Sequence, residues 1–247
     1  MDAQIVIGIF AVVRQFRHSN LGDWLPGKKR QVINEVAAFT DQSAAACCQV
    51  TPTTGGGLVG GGTGMRCHQF KGGIGTSSRV LSPADGGYTV GVLLQANHGR
   101  RQNLTIAGVP VGRELTDLMP EIHRSALPVE GNSIIAVVAT DAPLLPHQLK
   151  RLAKRVPLGI GRTGGMGENT SGDIFIAFST ANPGAWRSDG VMSLEMLPNA
   201  RVDALFNSVV QATEEAIVNA LVAAETMSGI NGNTLYALPH DRLRDIL

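Results

Sequence analysis

An almost unbroken apolar run, Ile134 to Ala139, constrains this chain more than any other feature. It sits in "VEGNSIIAVVATDAP" (129–143), directly after the turn signal Gly131-Asn132 and a single serine, Ser133. A run of this length between turn signals reads as a buried strand. The next stretch, "TDAPLLPHQLKRLAKRVPLGIGR", places Leu144, Leu145, Leu149, Leu152 and Val156 at helical spacing, with Lys150, Arg151, Lys154 and Arg155 on other faces. That pattern predicts an amphipathic helix. The strand-then-helix order returns in "GDIFIAFSTAN" and "RVDALFNSVVQATEEAIVNALVAAETM", the helix predicted to end at Gly229. "YTVGVLLQAN" and "LTIAGVPVGREL" each read as a strand, and residues 114–132 as an exposed connection. Strands alternating with helices predict a layered α/β fold.

The 247 residues suffice for a substantial core in one large domain or two small ones. Net charge is near zero, and basic residues cluster only in short runs such as Lys28-Lys29-Arg30 and Arg100-Arg101. That excludes the clustered positive field of a nucleic-acid groove. The segment "IVIGIFAVV" (5–13) has the length of a signal-peptide core, but Asp2 precedes it and no small-x-small cleavage site follows. It is too short to span a bilayer and is expected to be a strand. A soluble, cytoplasmic protein is therefore expected, with no membrane partner. Cys47, Cys48 and Cys67 fit no zinc spacing and read as reduced or buried thiols.

Glycines crowd residues 51–79, in "TTGGGLVGGGTGM" and "KGGIGTSSRV". Neither stretch is a Walker loop or a dinucleotide fingerprint, so no nucleotide is expected. Tight turns and close backbone approach are the expected use. Ser133 poses a different question. Serine needs a base to become a nucleophile. Six histidines are present (His18, His68, His98, His123, His147, His240), but no G-x-S-x-G elbow. One reading makes Ser133 an ordinary first residue of a strand. In the other, cutting Asn132–Ser133 frees an α-amino group with a pKa of ~8, which serves the serine as its own base.

Five segments in order, "VGGGTGMRCHQFKGGIGTSSRV", "YTVGVLLQANHGRRQNLTIAGVPVGREL", "GNSIIAVVATDAPLLPHQLKRLAKRVPLGIGRTGG", "NTSGDIFIAFSTAN" and "GNTLYALPHDRL", resemble the DmpA-type aminopeptidases. These are the L-aminopeptidase/D-amidase-esterase and β-peptidyl aminopeptidase family. The resemblance covers roughly residues 59–247. It implies an α/β/β/α four-layer sandwich, Ntn-hydrolase-like with DmpA-type connectivity, built as a single domain over 1–247. It implies self-cleavage into an α chain (1–132) and a β chain (133–247) that stay together. No metal or other cofactor is implied. Ser133 matches the nucleophile, and Asn132 with Ser133 the autocleavage bond. Ser171 and Asp173 match the accessory serine and acid that orient the nucleophile and its amine. Asn97 matches the oxyanion-hole asparagine, a donor worth roughly 3–4 kcal/mol in comparable enzymes. Short peptides or amides are the implied substrates, and homo-oligomers of α/β heterodimers the implied assembly.

The first 50 or so residues match this family poorly, and relatives are longer on the N-terminal side. Setting "AVVRQFRH" against the family's V-V-A-E-T segment puts Gln15, or its neighbour Arg14, where a glutamate holds the substrate's free amine. A neutral amide can accept a hydrogen bond but cannot pair an ammonium charge. Three functional expectations follow: an aminopeptidase; an amide hydrolase or acyltransferase of the same fold without free-amine specificity; or an inactive, truncated member.

Overall fold

The computed structural model describes residues 60–123 and 133–247. The strand expected at 5–13, Gln15, His18, Cys47, Cys48 and Asn132 lie outside them. A short hairpin comes first, β1 (Arg66–Cys67) against β2 (Phe70–Lys71). Its turn residues, His68 (φ 47°) and Gln69 (φ 61°), occupy the left-handed region, which non-glycine residues rarely adopt. The buried Arg101 holds them there. Its Nε donates to His68 O, and its terminal nitrogens donate to the carbonyls of Gln69, Leu115, Asp117 and Leu118. All five guanidinium donors are thus used, while the plane stacks 3.2 Å from the Phe70 ring centre.

The main sheet has four strands in the order β3 (Gly73–Val80), β4 (Thr89–Asn97), β5 (Ser133–Thr140), β6 (Ile174–Ser179). The first two pairings are antiparallel, and β5 runs parallel to β6. A parallel pair needs a crossover. Helices α1 (Pro146–Ala153) and α2 (Val156–Arg162) supply it. The long helix α3 (Asp203–Val222) lies across β3 and β4, a short pair β7 (Met227–Ser228) and β8 (Thr234–Leu235) follows, and α4 (His240–Ile246) ends the chain. Among the described residues no helix is long and apolar enough to cross a membrane.

One sheet face carries Val92, Leu94, Ala96, Ile134, Ala136 and Val138, packed with α3 side chains such as Leu205, Val209 and Ile217 in a single core. The other face carries a smaller cluster, Val137 and Ala139 with Leu93 and Phe178, and there Ile135 is 42% exposed. The apolar run is therefore buried throughout on one face only. Ala212, Ala216 and Ala220 recur every fourth residue on the buried side of α3 and let it sit close to the sheet. Gly75 completes the fit: a Cβ there would fall far inside contact distance of the Ala216 carbonyl oxygen. Close backbone approach, the use expected of the glycines, is what this one serves.

Three predicted elements differ. "LTIAGVPVGREL" is not a strand. Ala107 (φ 51°) and Gly108 (φ 82°) turn the chain back so that Ile106 and Val109 bond each other, and a 3-10 turn, Val111–Arg113, follows. The helix predicted after β5 is split in two at Lys154-Arg155. Pro157 explains the break, since it has no N–H for a helical bond back to Ala153. Leu144 and Leu145 lie before α1 rather than in it. Helix α3 stops at Val222, short of Gly229, because the chain turns at Ala223 and Ala224 to pair β7 with β8.

The Gly75 contact yields a direct test. Gly75→Ala should lower the unfolding free energy by about 2 kcal/mol or more, because a backbone carbonyl cannot move aside. Gly64→Ala, with nothing within 4 Å of the added Cβ, should change it by a few tenths. Urea unfolding of both proteins measures the contrast.

Candidate active site

Ser133 is the first residue of β5 and stands directly opposite Asn97, the last of β4. The loop entering β6 adds Ser171, Gly172 and Asp173 beside them. The Gly172 N–H donates to Ser133 Oγ at 2.9 Å. Because the oxygen accepts this bond, the hydroxyl hydrogen points elsewhere and can be passed to a base. A Cβ at Gly172 would lie 3.6 Å from the same oxygen, an ordinary contact. Asp173 Oδ1 accepts both the Ile134 N–H at 3.0 Å and the Ser171 hydroxyl at 2.6 Å. Its carboxylate therefore clamps the peptide immediately after Ser133. The Ser171 N–H is turned back to Glu168 O at 2.8 Å, which shapes the loop.

Asn97 is oriented from the hairpin. The Arg66 N–H donates to Asn97 Oδ1 at 3.1 Å. Only the oxygen end of the amide can accept that bond, so the contact assigns the flip and leaves the NH2 end as the donor. The same Met65–Arg66 peptide is gripped at its other pole. Met65 O accepts from Lys71 Nζ at 3.1 Å and from the Gly72 N–H at 2.8 Å. Lys71 Nζ also donates to Gly62 O at 2.9 Å and Gly72 O at 2.7 Å, so all three ammonium hydrogens have carbonyl partners. A cation on the carbonyl polarises the peptide and sharpens its N–H toward Asn97.

Beneath Asn97 the interior holds Cys67, His68 and His98, all buried. Burial holds His68 down at about 4 and His98 at about 3, so both imidazoles are neutral at pH 7. Burial also pushes the Cys67 thiol well above its ordinary range. Among the described residues, no histidine hydrogen-bonds Ser133 Oγ. Among these residues, then, Ser133 has no imidazole partner to act as its base.

Four of the site residues read from the sequence, Ser133, Asn97, Ser171 and Asp173, thus converge, while Gln15 and Asn132 lie outside the described residues. Sequence reasoning missed the Gly172 N–H, the Arg66 N–H and Lys71. A lone lysine between Phe70 and two glycines was a signal for a buried, backbone-bound ammonium. The Arg66 contact had none, since it depends on the hairpin's position.

Comparison with known proteins shows what the chain as a whole resembles. Residues 8–235 match the family model Peptidase family S58. The chain is 53% identical over 202 residues to the β-peptidyl aminopeptidase BapA of Sphingosinicella microcystinivorans, covering 77% of this chain and 51% of that protein. It is 49% identical over 200 residues to BapA of Sphingosinicella xenopeptidilytica, covering 77% and 50%. Among solved structures, the L-aminopeptidase D-Ala-esterase/amidase of Ochrobactrum anthropi superposes with a TM-score of 0.69 at 49% identity, covering 78% of this chain and 52% of that one. A Burkholderia β-aminopeptidase gives 0.66 at 47%, covering 78% and 54%. The chain spans about half the length of the relatives it matches. Its fold is the α/β, DmpA-like variant of the Ntn-hydrolase fold.

Lys71 gives the site a measurable signature. Burial lowers its ammonium from 10.5 to about 8. Between those values the unfolded chain holds a proton that the folded chain has released, so stability should rise with pH across that window. Relative to Lys71→Met, the wild-type protein should gain up to ~3 kcal/mol by its upper end. Urea midpoints at pH 8 and pH 10 for both proteins check the sign.

Proposed function

The chain belongs to peptidase family S58, and on that premise we propose that it acts as a self-processing serine aminopeptidase or amidase with Ser133 as its N-terminal nucleophile. The observation that carries the proposal is the placement of Ser133: first in a buried strand, Oγ held by the Gly172 N–H, and Asn97 directly opposite. In maturation, Ser133 Oγ attacks the Asn132 carbonyl carbon. The C–N bond breaks, an ester forms, and the nitrogen takes up a proton. Water then hydrolyses the ester and leaves an α chain of 1–132 and a β chain of 133–247. The freed α-amine, neutral in part at pH 7, takes the Ser133 hydroxyl proton during turnover. Oγ attacks the substrate's amide or ester carbonyl, and the Asn97 NH2 group donates to the oxyanion. The leaving amine receives the proton, and water releases the acyl group. Asp173 acts as a positioning residue, holding the Ile134 N–H one peptide away from the new amine, with Ser171 fixing its carboxylate.

Short peptides and amides are the proposed substrates. Gln15 favours a second reading. At the position of an amine-binding glutamate, a neutral amide lowers the premium on a free amino terminus and admits amide hydrolysis or acyl transfer without it. Comparing substrates with free and blocked amines distinguishes the two. Association of the heterodimers into a homo-oligomer in the cytoplasm belongs to the same proposal.

Two outcomes are expected. Intact mass of the denatured protein should show two species divided between Asn132 and Ser133, and Ser133→Ala should give one; cleavage persisting in Ser133→Ala protein would sink the proposal. In the processed enzyme, Asn97→Ala should lower kcat about a hundredfold or more while the fold survives, and a kcat within a few-fold of wild type would remove Asn97 from the oxyanion role.

A further inference from the structure

Cys67, His68 and His98 have no part in the Ser133 chemistry, yet they are assembled as a constellation. One nitrogen of each histidine and the Cys67 sulfur all lie within 4.8 Å of one another. The two rings meet edge to face, with centroids 5.2 Å apart and planes at 70°. His68 is 0% exposed and His98 3%. His68 Nδ1 is 3.1 Å from the Arg100 carbonyl oxygen, and only an N–H can face a carbonyl there. That assigns the proton to Nδ1 and leaves a lone pair on Nε2, which has no hydrogen-bond partner. Neither nitrogen of His98 has one either. Unsatisfied buried polar atoms cost about 1–3 kcal/mol each, so three on two neighbouring rings call for a ligand.

We propose that Cys67, His68 and His98 form a buried site for one divalent cation of the zinc class. Thiolate and imidazole donors select such borderline ions over magnesium or calcium. The backbone carbonyl on His68 Nδ1 is the outer partner that metal-bound imidazoles use to fix their tautomer. Tetrahedral zinc brings its donor atoms to roughly 3.5 Å from one another, so the three groups close by about an ångström on binding. Gly99 and Gly165 set the ring positions. A Cβ at Gly99 would lie 2.5 Å from His68 Nδ1, and one at Gly165 would lie 3.2 Å from His98 Cδ2. The Glu168 carboxylate supplies negative charge nearby. Its Oε1 is buried without a hydrogen bond, 3.9 Å from Arg100 Nε, and it acts electrostatically on His68. Binding forms a sulfur–metal bond and sends the thiol proton to solvent, with no change of oxidation state. Cys67 directly follows Arg66 and His98 directly follows Asn97, so the ion would fasten β1 to the end of β4 behind the Asn97 amide.

The test is a Co²⁺ titration of full-length Cys47→Ser/Cys48→Ser protein under reducing conditions, which makes Cys67 the sole thiol. One equivalent should produce a thiolate-to-cobalt charge-transfer band with tetrahedral d–d absorption, and one equivalent of Zn²⁺ should abolish both. Cys67→Ser should remove the charge-transfer band. His98→Phe and His68→Gln should each weaken binding by roughly tenfold or more while circular dichroism stays native. Absence of the band in the parent protein overturns the proposal, and so does unchanged affinity in either histidine variant. The same titration of Ser133→Ala protein should give the same equivalent, so the outcome is independent of the serine's role.

Discussion

The register between β4 and β5 is the constraint on which the site depends. Asn97 faces Ser133 because Val90 faces Thr140 at the far end of the same ladder. A slip of one residue would send Ile134, Ala136 and Val138 to the other face of the sheet and separate the asparagine from the serine. That far end is pinned by side chains. Thr140 Oγ1 donates to Thr89 O at 2.7 Å, and Asp141 Oδ1 accepts the Thr89 N–H at 2.7 Å. Seven residues from Ser133, two polar contacts fix which groups can meet.

The second strand pairing adds what the first cannot. An antiparallel partner brings the end of one strand to the start of the next, so β4 offers Asn97 to Ser133. A parallel partner starts where its neighbour starts, so β6 offers the loop that precedes it. Ser133 therefore lies between a side-chain amide on one edge and the Gly172 N–H and Asp173 carboxylate on the other. Asn97 is itself held by a backbone peptide whose opposite pole rests on a buried ammonium. The first hairpin, which looks peripheral, is thus part of the scaffold behind Asn97 and Ser133.

Much of this was legible in the sequence, for identifiable reasons. Apolar runs bounded by turn residues located β4, β5 and β6, since burial fixes both their length and their flanks. The family resemblance, and no local pattern, singled out Asn97, Ser133, Ser171 and Asp173, because such residues beside strand ends are also ordinary turn formers. What failed were stretches whose apolar content conflicted with backbone chemistry. "LTIAGVPVGREL" looked like a strand until Ala107 and Gly108 took left-handed conformations, and Pro157 broke a helix that periodicity alone would continue. Arg101 read only as half of a short basic pair and is a buried bracket for two strained residues. Nothing local marks such a role, because the carbonyls it binds lie up to 33 positions away.

Every ladder bond of β5 lies on the C-terminal side of the peptide that precedes Ser133. A cut at that peptide would leave the sheet whole but alter what kind of object it is. The central pair, β4 with β5, would become an interface between two polypeptides, with α3 from the second piece lying across β3 and β4 of the first. Separating the pieces would strip the common core. Unfolding would then be a dissociation as well, and the resistance of the processed protein to denaturant would depend on its concentration, as that of a single uncut chain does not.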